Sequence, residues 1–187
     1  MNKGEKTKQK IIDASNQLFY QQGYADTAIS HIVTKTGLSK GNITYHFKSK
    51  KNILENIVAK RLNTIKNNFK LWNNKSKNPK KRLQLFCQSI ASESENLSAY
   101  GCPMGTLTTE FSKKHTDLYH IVKPMFQLHL EWLTTQFELL EKGTAKATKK
   151  AMRLMAQVQG IAVLTHAFKD KTFLNEEIQR IILEIKK

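Results

Sequence analysis

At 187 residues, with 40% hydrophobic side chains but only three prolines and eight glycines, the chain can bury a real core and favours helices over a many-turned β architecture. Its net charge of +16 is concentrated: residues 1–60 hold ten Lys/Arg against four Asp/Glu, residues 61–82 eight against none, and residues 83–187 thirteen against eleven. One strongly basic end suits an anionic polymer better than a general need for solubility does.

Other classes find no support. No apolar run approaches the roughly 18 residues of a membrane span, and MNKGEKTKQK lacks a signal-peptide core, so a cytoplasmic protein without membrane association is expected. Cys87 and Cys102 make neither a disulfide framework nor a metal pattern, and no cofactor motif is present. Cys102 with His115, or a serine with a histidine elsewhere, would be the nucleophilic pair of an enzyme, but no nucleophile elbow, phosphate loop, metal motif or close carboxylate pair accompanies them; a non-enzyme is expected.

In chain order, Ile11, Ile12, Leu18 and Phe19 mark a first helix over about 5–22, which Gly23 stops. Thr27 is placed to cap a short second helix with Ile29, Ile32 and Val33 inward, ending at Thr36-Gly37. Ser39 caps a third helix of about two turns, with Ile43 and Phe47 spaced i, i+4 toward the core. A long fourth helix over 49–73 carries a stripe from Ile53 to Trp72 and ends in NNKSKN. Asn78 and Pro79 read as a fresh helix start, and the seam between domains is placed near them. Helices at about 79–97, 103–113, 117–141, 145–169 and 173–186 follow, with Pro124 expected to kink or break the third of these.

The functional signal lies in residues 34–54, TKTGLSKGNITYHFKSKKNIL. Two short helices joined by a Gly-containing turn, braced by a helix before and a long one after, form a helix-turn-helix whose second member fits the DNA major groove. Lys40 can reach guanine acceptors, Asn42 can pair with a base edge, Thr44 can offer hydroxyl or methyl, and Gly41 allows close backbone approach. Tyr45, His46, Lys48 and Lys50 suit phosphate oxygens, and the amides at the start of the second helix near Thr27 and Ala28 suit another.

The stretch TAISHIVTKTGLSKGNITYHFKSKKNIL resembles the DNA-binding domain of the tetracycline-repressor (TetR) family of bacterial transcriptional regulators, over about residues 7–60. The resemblance implies an all-α protein. Its N-terminal three-helix helix-turn-helix domain (1–50) is linked by the fourth helix to a C-terminal helical domain (74–187) for effector binding and dimerisation. It implies a homodimer on a palindromic double-stranded DNA operator, released by a small-molecule effector. Carried over by position, base-facing roles fall to Ser30, Lys40, Asn42 and Thr44, and phosphate-facing roles to Thr27, Tyr45, His46 and Lys50. Ala28, Ser30 and Thr44 depart from the family's usual residues, so a different operator sequence is expected. The segment YGCPMGTLTTEF further resembles the ligand domain of one branch of the family, with Pro103 as a departure.

In the C-terminal half, soft and aromatic residues are candidates for an effector pocket: Met104, Leu107, Phe111, Met125, Phe126, Trp132, Phe137, Met152 and Met155, with His129, Gln157, Gln159 and His166 as polar anchors. Apolar positions on more than one face of the helices at 117–141 and 145–169, namely Leu130, Leu133, Leu140, Leu154, Val158, Ile161 and Thr165, point to a two-fold four-helix interface. Cys102 beside a glycine is an alternative, oxidant- or electrophile-sensing element, although a free cysteine is more often a small buried hydrophobe. The lysine excess alone would equally fit a nonspecific DNA binder; the outward Asn42 and Thr44 argue against it.

Overall fold

The computed structural model describes residues 2–141 and 143–186, which are helical with no strand among them. The helices are α1 (Lys3–Gln22), α2 (Ile29–Thr36), α3 (Lys40–His46), α4 (Lys50–Lys75), α5 (Pro79–Ala91), α6 (Ser94–Tyr100), α7 (Gly105–Lys114), α8 (Tyr119–Glu138), α9 (Thr144–Phe168) and α10 (Lys171–Lys186), with a 3₁₀ turn at Thr116–Leu118.

The chain forms two compact units, Met1–Asn63 with Thr106–Pro124, and Thr64–Gly105 with Met125–Lys187. The seam expected near Asn78 therefore lies inside the second unit, and the segment around α7 packs with the first. The cause is the unbroken stripe of α4: Ile53, Leu54, Ile57 and Val58 are buried in one unit, Phe69 and Trp72 in the other. The polar stretch after α4 merely turns the chain; Asn78 Oδ1 accepts from the Lys80 amide at 2.9 Å and Pro79 opens α5 where no donor is required.

In the first unit, α1 starts with a reciprocal cap, the Glu5 amide donating to Asn2 Oδ1 (2.9 Å) and the Asn2 amide to Glu5 Oε2 (2.8 Å). Its face of Ile11, Ile12, Leu18 and Phe19 is buried. Phe111, Leu118 and Val122 are buried in the same unit. Lys60 pairs with Asp13 and Arg61 Nε donates to Asn16 Oδ1 at 2.8 Å, tying α4 to α1.

In the second unit, α10 packs on α5, α6 and α9, and α6 on α9. An aromatic cluster of Phe69, Trp72, Phe86 and Trp132 forms part of this core, with Trp132 Nε1 donating to Asn73 Oδ1 at 3.3 Å. The single helix expected over 79–97 is two helices, because serines in the last turn of the first and at its cap compete for backbone carbonyls: Ser89 Oγ donates to Phe86 O (2.7 Å) and Ser92 Oγ to Ser89 O (2.8 Å). Helix α8 runs on through Pro124 and so does not break there; that proline sits at the boundary between the units.

Candidate nucleic-acid interface

The helix-turn-helix is assembled by local rules. Helix α2 ends at Gly37, whose left-handed backbone (φ 66°) lets its amide donate back to Val33 O at 2.8 Å. Ser39, extended, accepts the Asn42 amide at 3.2 Å and starts α3; Phe47 closes it by donating to Ile43 O at 2.8 Å. Ile43 and Phe47 are buried as expected, and Ser49 caps α4 by accepting the Asn52 amide at 3.1 Å. Anchored on those two side chains, α3 has its register set within its unit.

That register leaves Lys40, Gly41, Asn42, Thr44 and Tyr45 exposed, with Ser30 exposed on α2 and Lys48 exposed after α3. The Thr44 hydroxyl donates to the Lys40 and Gly41 carbonyls, both at 3.1 Å, so at a base edge it has lone pairs and a methyl to offer. Tyr45 is 84% exposed, and its ring meets the half-buried His46 edge-on at 5.1 Å. Gln22 Nε2 lies 2.9 Å from His31 Nδ1, joining the end of α1 to α2.

Two expected phosphate contacts are corrected. Thr27 is fully buried and donates to Gly23 O at 2.6 Å; the residue at the cap position of α2 is Ala28, whose side chain makes no capping bond. Lys50 is turned inward. Its ammonium donates to the carbonyls of Tyr24 (2.8 Å), Ala25 (3.3 Å) and Thr27 (3.0 Å) and lies 4.2 Å from the centre of the Tyr24 ring, which occupies all three of its donors. Burial lowers its pKa, while Glu110 and Asp26 oppose that shift. Val33 and Ile29 are only half-buried.

Glu110 was not singled out by the sequence. Its carboxylate accepts the amides of Tyr24 (3.0 Å) and Ala25 (2.5 Å) across more than 80 residues of chain. An acid in TLTTEFSKK on an ordinary helix carries no local signal of that role.

The C-terminal candidates scatter. Leu107, Phe111, Met125 and Trp132 are packed core; Met104, Phe126, His129, Met155, Gln159 and His166 are half-buried. Leu107 and Phe111 belong to the first unit and the others to the second. His129 Nδ1 lies 2.8 Å from Met125 O among Phe69 and Phe86, and burial lowers its pKa. His166 Nδ1 lies 3.0 Å from Ser98 O. None of these ten lines the cavity of about 520 Å³ found in the second unit, but two further candidates do: Phe137, with Leu83, Leu154 and Ile181 in its apolar wall, and Gln157, with Arg153 among its polar residues.

Five of the seven expected interface residues are likewise corrected. Leu133, Leu154, Val158, Ile161 and Thr165 are buried within the single chain, Leu130 is half-buried, and only Leu140 is exposed. Helix α9 is apolar on two faces, and Leu154, Val158, Ile161 and Thr165 belong to the face its own chain covers. The other face leaves Met152, Val163, Leu164 and Phe168 exposed. Cys102 is half-buried, its Sγ accepting the Gly105 amide at 3.4 Å, and Cys87 is buried with its thiol pushed up to about 12 by desolvation. No helix among the described residues is long and apolar enough to cross a membrane, and none of their His, Cys, Asp and Glu side chains form a cluster able to hold a metal.

A helix-turn-helix with an outward polar helix, carried by an otherwise helical chain, defines the class as DNA-binding proteins. The family of bacterial regulatory proteins named for tetR matches residues 11–57. An uncharacterised HTH-type transcriptional regulator from the lacX 3′ region of Lactococcus lactis is 30% identical over 181 residues, covering 90% of this chain and 87% of that protein. The HTH-type transcriptional regulator QacR of Staphylococcus aureus is 26% identical over 177 residues, covering 85% and 86%. A crystal structure of a TetR transcriptional regulator from Legionella pneumophila superposes with a TM-score of 0.86 at 23% identity, covering 98% of this chain and 97% of that one. The chain belongs to the TetR family and is a DNA-binding transcriptional regulator.

Proposed function

We propose that the protein is a repressor that binds a palindromic operator as a homodimer and is released when a small molecule enters its C-terminal unit. The observation that carries this reading is α3 itself: Ile43 and Phe47 anchor it while Lys40, Asn42, Thr44 and Tyr45 face solvent, as base readout in a major groove requires. Tyr45, His46 and Lys48 are the phosphate contacts, and Ser30 adds from α2.

Dimerisation is supported by the exposed apolar face of α9. Gly160 and Ala156, also exposed, lie between Met152 and Val163 on that face and permit close approach of a second copy. Effector binding is supported by the cavity between α5, α8, α9 and α10, whose volume lies in the range of small-molecule sites. The effector acts only if it binds the DNA-free state more tightly than the bound one.

The test is selection of duplexes by the protein from a random-sequence pool, followed by competition between the enriched sequence and random duplex. A two-fold-symmetric sequence preferred by at least about 4 kcal/mol is expected. Equal binding to both would mean a nonspecific DNA binder instead.

A further inference from the structure

The six residues between α1 and α2 carry more polar clamping than a connection of that length needs. Glu110 takes the Tyr24 and Ala25 amides from one side, and the Lys50 ammonium takes the Tyr24, Ala25 and Thr27 carbonyls from the other. The turn closes on itself as well, the Thr27 amide donating to Tyr24 O at 3.2 Å and its hydroxyl to Gly23 O. Gly23 permits this: its φ is +88°, and a Cβ there would lie 3.3 Å from Glu110 Oε2. The Tyr24 ring is packed edge-on against Phe19 (5.1 Å), Phe111 (5.2 Å) and His115 (5.5 Å) under the Lys50 ammonium. Helix α2, which this turn delivers, has no capping bond from the side chain of its cap residue Ala28, whose amide donates to His31 Nδ1 at 3.4 Å.

We propose that Glu110 is a positioning residue for DNA recognition: its carboxylate, opposed by Lys50 across the 23–27 turn, sets where α2 begins and thereby the pose in which α3 meets the groove. The inference rests on the regulator reading above. Backbone amides with a carboxylate across them are held by charge-assisted bonds, which are short and directional, so the turn has one geometry instead of several. Helix α2 packs on α1 and on α3, so an error in its starting point moves the reading helix.

Charge and position make opposite forecasts, which is what makes the role testable. A carboxylate in a DNA-binding unit repels phosphates; were that its only influence, Glu110→Gln would tighten binding. A positioning role requires the reverse. In the full-length protein, Glu110→Gln should weaken binding to a duplex selected by the parent protein by about tenfold, the loss expected for one charge-assisted hydrogen bond. The slope of affinity against salt should stay that of the parent, because no phosphate contact is removed. Hydrogen exchange of the Tyr24 and Ala25 amides, read by NMR without DNA, should accelerate, and Glu110→Asp should fall between parent and Gln in both readouts.

Unchanged or tighter binding by Glu110→Gln, or amides as protected as in the parent, overturns the proposal. If Glu110→Gln does not fold, the graded loss in Glu110→Asp decides, and parent-like binding by that folded variant, with amides already exposed, overturns it. A parent protein that enriches no duplex at all brings down the regulator reading and this inference together, whereas a parent that binds while its Glu110 variants bind equally well brings down the inference alone.

Discussion

Phe69 and Trp132 stack with their ring centroids 4.5 Å apart and their planes 7° from parallel, joining the outer half of α4 to α8 within one core. Trp72 and Phe86 meet the same indole at tilted angles, so it touches aromatic surface on several sides. Replacing it removes one of the two indoles of the cluster and leaves a cavity that rigid neighbours cannot fill. Trp132→Ala should cost about 3–5 kcal/mol in chemical denaturation, whereas Trp132→Phe, which keeps a stacking ring, should cost clearly less. A loss below 1 kcal/mol for the alanine variant would show that the cluster collapses freely.

The exposed side chains of α3 divide by what they are expected to touch. Asn42→Ala should reduce the preference for the selected duplex over random DNA by about 1–3 kcal/mol while leaving nonspecific affinity nearly unchanged. Lys48→Ala should weaken both by similar factors and lower the slope of log affinity against log salt by about one. Competition binding at several salt concentrations separates the two patterns.

Helix α9 offers a similar contrast between its faces. Leu164, 45% exposed, should tolerate Glu in the folded monomer but disrupt association, a loss of about 2 kcal/mol or more in dimer stability by sedimentation equilibrium. Val158, on the covered face, should lose folding instead when replaced by Glu, since it would bury a charge without a partner. If Leu164→Glu sedimented as the parent does, the exposed face of α9 would not be the contact between copies.

Burial holds the His129 imidazole neutral, below its ordinary 6.5, with desolvation outweighing the help from the Met125 carbonyl. Well above that value neither folded nor unfolded imidazole carries the proton, and the group contributes nothing. As pH falls through it the unfolded state binds a proton that the folded one refuses, so stability declines by up to about 1.4 kcal/mol per pH unit until the folded imidazole titrates. His129→Gln should flatten the part of the denaturation midpoint's pH dependence that lies below the ordinary imidazole value of 6.5. An identical pH profile for the variant would assign that slope to other groups.

Much of the DNA-binding unit was legible in residues 34–54 because its signals are local: Ser39 and Gly37 bound the helices, and the i, i+4 pair of Ile43 and Phe47 selects the face left outside. Thr27 and Lys50 misled for the same reason. A threonine before a helix and a lysine after one suit capping and phosphate binding locally, and nothing nearby in sequence reveals that a hydroxyl is claimed by Gly23 or an ammonium by three carbonyls some 25 residues away. On α9 the periodicity disclosed two apolar faces but could not say which one its own chain covers.

Sequence by itself determined the helical class, the first four helices and the outward polar set on α3, since caps, glycine stops and 3.6-residue periodicity act within a few residues of each other. Tertiary structure alone decided that α7 belongs with the N-terminal unit, that Glu110 reaches the α1–α2 turn and that α9 keeps Val163 and Leu164 uncovered. Those are outcomes of which surfaces meet after the chain has closed its long loops, and no short-range preference encodes them.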